Sequence, residues 1–159
     1  MAKTKKTNAM RILDQKKITY NIFTYDKNDG KIDGISVAEK IDRAPELVYK
    51  TLVAQGNSKN IYVFVLPVAE ELDLKKAAKI SGAKKIEMIP VKEILKLTGY
   101  VRGGCSPMGM KKNYKTFVDS SASKIEKIIV SAGKIGAQIE LEASELIEVT
   151  EAELVNIVK

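Results

Sequence analysis

Apolar residues recur along this chain at two spacings, and the switches between them place its elements. Ala9, Met10 and Leu13 recur at helical spacing behind Thr7, so Thr7 is expected to cap a short helix. Ile18 to Tyr25 alternates and is rich in β-formers, which predicts a strand. Asp26 to Gly34 is a polar loop, after which Ser36 is expected to cap a helix burying Val37, Ala38 and Ile41. Pro45 opens a turn into a predicted strand over Val48 to Ala54. Asn57 to Asn60 reads as a hairpin turn before the apolar run Ile61 to Pro67. Glu70 to Ile80 predicts a helix with Leu72, Leu74, Ala77, Ala78 and Ile80 as its apolar positions and Gly82 beyond its end. Lys85 to Ile89 predicts a short strand, and Pro90 starts a helix ending near Leu97. Further strands are expected at Lys115 to Asp119, Lys127 to Val130 and Gln138 to Leu141, then a helix over Ala143 to Val149. Thr150 and Glu153 suit a capping box for a last short helix. The cationic residues 1–6 are expected to fray.

Strands interleave with helices, yet two strands follow one another directly at 48–54 and 61–66. That combination predicts an α/β protein of the α+β type with a mixed sheet, not a doubly wound one. The 159 residues fit one domain, 1–159, without repeat, low-complexity tract or linker. Neither GxxxxGK[ST] nor GxGxxG occurs, so the common nucleotide fingerprints are missing.

Composition narrows the chemistry. There is no histidine, so any catalysis proceeds without the commonest general base. A single cysteine forms no internal disulfide, and without histidine a zinc site is not expected. A reducing cytosol is the expected compartment. The start MAKTKKTNAMRILDQ has no apolar segment of the secretory kind, and no apolar run approaches the roughly 20 residues of a membrane span. The expectation is a monomer without metal or cofactor. Formal charge is +7 but uneven. Ile94 to Val118 carries five cations and no acid, whereas the last twenty residues carry six glutamates against Lys159. This asymmetry suits a polyanion-facing surface, or an inert lysine-rich one.

Candidate chemistry concentrates in Thr98 to Lys112, TGYVRGGCSPMGMKK, which holds four glycines, Pro107, the only cysteine and three cations. Adjacent glycines let backbone N–H groups approach an oxygen-rich ligand, and Arg102, Lys111 and Lys112 favour phosphate or carboxylate. Lys50 lies in the apolar run ELVYKTLVA. Either its ammonium points into a cleft and holds an anion, or period-two alternation turns it to solvent opposite Tyr49, Thr51 and Val53. Cys105 could be a nucleophile in a positive field, but a small apolar loop filler is the stronger expectation. Asp26, Asp29 and Asp33 loosely resemble a calcium loop without its downstream glutamate, and are expected to be solvated turn residues. Ser131 to Gly136, SAGKIG, could present amides and a hydroxyl to the same ligand, or be a plain hairpin connection. Tyr25 and Tyr100 could stack on a base, or pack in the core.

Taken together, VYKTLV, VLPVAEELDLKKAAKISGAKKIEM, TGYVRGGCSPMGMKK and VSAGKIGAQIEL, in that order, resemble the YbaK/EbsC family of bacterial aminoacyl-tRNA deacylases. These are freestanding relatives of the editing domain of prolyl-tRNA synthetase, and the likeness runs from about Ala9 to Val149. It implies a mixed, partly barrel-like sheet surrounded by helices. It implies as substrate the ester joining cysteine to the terminal adenosine of tRNA(Pro), with prolyl-tRNA synthetase as a candidate partner. The family's lysine corresponds to Lys50, its GxxxP loop to Gly103 through Pro107, and its Ser-x-Gly to Ser131 and Gly133. The implied catalytic pair is Lys50 and Gly103. Tyr25, Thr51, Gly104, Cys105, Ser106, Pro107, Ser131 and Gly133 would bind substrate, and Arg102, Lys111 and Lys112 the acceptor stem. The implied mechanism uses no protein nucleophile: the substrate thiol attacks its own ester. This chain departs from the family at Cys105, where relatives often carry an aliphatic residue, and at Gln138, where they often carry an acid. The 26–34 loop also differs in length and character.

Overall fold

The computed structural model describes residues 6–159, so the expected fraying of residues 1–6 falls, for 1–5, outside the described residues. Helix α1 (Asn8–Gln15) begins where Thr7 accepts a hydrogen bond from the Met10 amide, and it buries Ala9, Met10 and Leu13. The first strand, β1, is shorter than the sequence pattern suggests, Asn21–Thr24. Part of the difference is that the Ile18 amide returns to the Leu13 carbonyl at 2.9 Å, which closes the end of α1. Helix α2 (Gly34–Lys40) is capped by Asp33, not Ser36: the Asp33 carboxylate accepts from both the amide and the hydroxyl of Ser36. A carboxylate suits a cap because it meets unpaired amides and the positive end of the helix dipole together.

A 3-10 turn at Pro45–Leu47 feeds β2 (Tyr49–Gly56), which hairpins into β3 (Ile61–Pro67). Helix α3 is Leu74–Ser81, not Glu70 to Ile80. Asp73 caps it, and Leu72 is instead held in an antiparallel bridge to Val158. Strand β4 (Ile86–Met88) and helix α4 (Val91–Thr98) follow, then β5 (Lys115–Asp119), β6 (Lys127–Ser131), β7 (Ala137–Glu142) and α5 (Ala143–Thr150). The predicted final helix is absent: residues Glu153–Val155 form a strand, β8, parallel to β5. Glu151 turns the chain at φ 54°, and the Thr150 hydroxyl donates back to the Leu146 carbonyl instead of capping a helix ahead of it. Pairing Glu153–Val155 with β5 satisfies backbone groups along its edge, a tertiary gain that local pattern does not register.

The strands form two sheets, a mixed five-stranded one ordered β4-β2-β3-β5-β8 and an antiparallel three-stranded one ordered β1-β7-β6. A parallel bridge between Val48 and Ile129 joins the start of β2 to β6. The two sheets are thus linked at one point and do not close into a barrel. Between them lies a core of Tyr49, Val63, Val65, Ile128, Val130 and Ile139, with α1 and α5 contributing Met10, Leu13 and Leu146. On the other face of β3 and β5, Phe64 stacks on Phe117 with centroids 5.5 Å apart, covered by Ala77 and Ala78 of α3. Helices thus seal the outer faces, and one side of the sheet junction stays open.

Candidate active site

That opening is a cavity of about 580 Å³ between α2, the first half of β2, the ends of β6 and β7, and the turn before Cys105. Lys50 and Gly103 both line it, as do Thr51, Arg102, Cys105 and Ser131. Sequence alternation left Lys50 undecided because both faces of β2 are covered. Tyr49 and Val53 are buried, while Lys50, Thr51 and Leu52 between them are half-buried. Burial pushes the Lys50 ammonium below its ordinary pKa, and the charges of Glu71 and Glu70 partly offset this. A cation held in a partly dry cleft is a strong partner for an anionic or carbonyl oxygen.

The glycine turn has two differently used glycines. Gly103 is exposed at φ 86°, a conformation that glycine adopts without strain. Gly104 is buried, and its N–H is committed to the Val101 carbonyl at 3.0 Å. A Cβ on Gly104 would lie 2.8 Å from the Ile135 nitrogen and from the Lys134 carbonyl carbon. The 131–136 loop therefore buttresses the turn backbone against backbone. Among the described residues, the amides of Arg102, Gly103, Cys105 and Ser106 have no acceptor, and of these four residues Arg102, Gly103 and Cys105 line the cavity.

The remaining predicted residues surround this pair at varying distance. Ser131 lines the cavity, is 9% exposed, and its hydroxyl accepts from the Gly133 amide at 3.2 Å. Gly133, at φ 101°, is backed by Tyr100 and Thr7. Ser106 is fully buried and its hydroxyl accepts from the Met108 amide. Pro107 is buried and borders a separate small hollow together with Lys112. Lys111 is exposed and reaches the Lys96 carbonyl at the end of α4. None of Gly104, Ser106, Pro107, Gly133, Lys111 or Lys112 is part of the cavity lining.

Tyr100 is not a free stacking platform. It is 4% exposed, its hydroxyl donates to the Met108 carbonyl at 2.6 Å, and burial raises its pKa. Tyr25 is half-buried, with its hydroxyl enclosed and without a hydrogen-bond partner among the described residues. Cys105 faces the cavity but is 9% exposed, and burial pushes its thiol up to about 11. A thiol with that pKa is protonated at neutral pH and is a poor nucleophile.

The 26–34 loop forms the opposite wall through Gly30, Ile32 and Asp33. A lysine ammonium, that of Lys40, is what its oxygens surround: it donates to the Asp26 and Lys31 carbonyls and to the Asp29 carboxylate at 2.6 to 2.9 Å. No cluster suited to a metal ion occurs among the described residues. Sequence reasoning placed Asp33 among solvated turn residues and missed both its role as the α2 cap and Ile32 as a wall residue. The D-x-x-S spacing of a helix cap was the available signal for Asp33. Gln138 also lines the cavity, 6% exposed, paired across the sheet with Ser131.

A second cavity of about 250 Å³ adjoins the first and shares Thr51, Leu52, Arg102, Gly103 and Cys105 with it. Its other walls are apolar side chains of β2, of α4 and of Met88 and Ile89 at and just past the end of β4.

This architecture matches solved structures over nearly its whole length. A candidate trans-editing enzyme for prolyl-tRNA synthetase superimposes with a TM-score of 0.84 at 19% identity, covering 98% of this chain and 99% of that one. The hypothetical protein APE2540 does so with a TM-score of 0.87 at 21% identity, covering 96% of this chain and all of that one. The fold is thus that of the freestanding editing proteins. Residues 34–149 match the family described as the aminoacyl-tRNA editing domain, and the chain belongs to that family. A curated relative, EbsC of Enterococcus faecalis, named as a candidate Cys-tRNA(Pro)/Cys-tRNA(Cys) deacylase, is 44% identical over 99% of this chain and 98% of its own. YwhH of Bacillus subtilis, an uncharacterized protein, is 27% identical over 70% of each chain.

No described helix is long and apolar enough to cross a membrane.

Proposed function

We propose that this protein is a trans-editing hydrolase of the cytosol that removes cysteine from Cys-tRNA(Pro). The observation that carries the reading is that Lys50 and the exposed Gly103 line one cavity, in a chain 44% identical to a relative named for this activity. Prolyl-tRNA synthetase is the candidate source of the mischarged tRNA, since pockets discriminate weakly between side chains of similar size.

The chemistry follows from what the cavity offers. Its one thiol is protonated and the chain has no histidine, which suits the mechanism that the family resemblance implies, in which the substrate supplies the nucleophile. The sulfur of the esterified cysteine attacks its own carbonyl carbon. A carbon–sulfur bond forms, the bond to the ribose oxygen breaks, and the thiol proton ends on that oxygen. The product is a thiolactone, which water then opens. The amides of Gly103 and Cys105 meet the developing oxyanion, and Lys50 holds a phosphate or the acyl oxygen. Positioning and charge stabilisation of this kind supply large rate factors without a protein nucleophile.

Release of amino acid from tRNA(Pro) charged with cysteine, alanine or serine tests the reading. Cysteine should be released selectively. Gln138, an uncharged side chain in the cavity, favours as a second reading another aminoacyl group, for which release of alanine is the sign. Binding of tRNA without release of any of the three defeats both. Lys50→Ala should lower kcat/KM by roughly 10² to 10³ while circular dichroism shows the fold intact. Near-normal turnover by that folded variant would remove Lys50 from the site.

A further inference from the structure

The second cavity has a chemistry of its own. The first holds the charged and polar groups Lys50, Asp33, Ser131 and Gln138. The second is walled by Leu52, Val53, Met88, Ile89, Val91 and Ile94 and has no carboxylate among its described lining residues. Its volume corresponds to about eight waters at their liquid share of roughly 30 Å³ each, which is room for one purine ring system. Arg102 and Gly103 lie on the boundary common to both cavities. Thr51 also lies there, with an enclosed hydroxyl that has no hydrogen-bond partner among the described residues. A ligand that complements the two has a polar reacting end, an anion near the middle, and an apolar end.

We infer that the second cavity seats the nucleobase at the 3′ end of the RNA, while the first takes the aminoacyl group. This rests on the deacylase reading above. A base offers two apolar faces to aliphatic walls. The ribose ester then falls at Gly103, where the available amides are, and the adjoining phosphate meets Arg102. The reverse placement is disfavoured because the aminoacyl group carries an ammonium. Carboxylate and amide acceptors for it lie in the first cavity only, at Asp33 and Gln138.

The test uses a CCA trinucleotide ending in 2-aminopurine, uncharged, whose fluorescence reports burial of that base. The full-length protein should change the signal saturably. Val91→Asp should weaken probe affinity and raise KM for Cys-tRNA(Pro) by roughly tenfold, with kcat within about twofold. Val91 is 53% exposed and opens α4, where an acid is compatible with the helix dipole. Met88→Asp, at a residue 45% exposed, should act alike. Leu95→Asp, one turn along and outside the cavity, controls for added charge and should leave both readouts near wild type. Unchanged probe affinity and KM in the Val91 and Met88 variants would overturn the inference. So would a change in which aminoacyl group is released with the probe unaffected, since that assigns the cavity to the side chain. Probe binding that depends on Val91, in a protein that releases no amino acid, keeps the base site and defeats the deacylase reading instead.

Discussion

The two loops facing each other across the main cavity are held by opposite means. The turn from Val101 to Gly109 is pinned by close packing: Gly104 presses on the Lys134–Ile135 backbone, and Gly109 lies against Asn8, Ala9 and the Tyr100 hydroxyl. The 26–34 loop is pinned by charge, through one ammonium and the Asp33 cap. The walls meet at one point, where Ile32 lies 3.1 Å from the place a Gly103 Cβ would take. Packing leaves the glycine-turn wall few alternative geometries, as preorganised donors would require. An ionic anchor at the surface, even with the Lys40 side chain partly covered, contributes less than backbone packing and permits the opposite wall to adjust. The difference suggests that chemistry is assigned to the rigid wall and fit to the adaptable one.

Gly104→Ala attacks the packed wall directly. The methyl has only backbone to displace, so a loss of about 3 kcal/mol and a melting temperature lower by roughly 6 to 12 °C are expected. A variant melting like wild type would show that the buttress is loose. Gly103→Ala separates conformation from chemistry within the same turn. Its neighbour is the tip of a flexible isoleucine, so the cost should be about 1 kcal/mol, mainly from the left-handed backbone. Turnover should nevertheless fall roughly 10²-fold, because a small misplacement of the donors is expensive. Equal stability losses at 103 and 104 would erase the distinction between them.

Acid should loosen one wall and spare the other. The Lys40 hydrogen bond lowers the Asp29 pKa, and the Ser36 hydroxyl lowers that of Asp33. A carboxyl whose folded pKa lies below its unfolded value, about 3.9 for Asp, stabilises above that value and loses the contribution as pH falls through the folded one. Amide NMR shifts of residues 26–34 should therefore move at acid pH before those of 101–109, a stretch with no acidic residue. Lys40→Met should produce the loosened loop already at neutral pH. Simultaneous movement of both segments would mean that charge anchors neither selectively. The smallest effect is expected from Cys105→Ala, which should keep most activity. In the native protein, iodoacetamide at pH 8 should modify this thiol roughly two orders of magnitude more slowly than a free cysteine, given its pKa of about 11. Fast alkylation with loss of turnover would revive a protein nucleophile.

Local signals located β5, α5 and the Thr7 cap within a residue of the observed ends, because spacing and capping are properties of a few neighbours. They failed at Glu153–Val155, where a distant strand edge outweighed a good capping box, and at Leu72, drawn out of α3 by Val158. The same division runs through the site. Lys50 and the 103–104 glycines stood out as candidates by residue type, since a lysine in an apolar run and paired glycines are costly without a purpose. Which way Lys50 faced was not, because alternation orients a side chain only when one face of the sheet meets water. Whether a glycine stays exposed or fills a backbone contact, as at Gly103 and Gly104, depends on a loop some thirty residues away. Residue type settles what a group can do. The packing of distant segments settles whether anything is left for it to do that to.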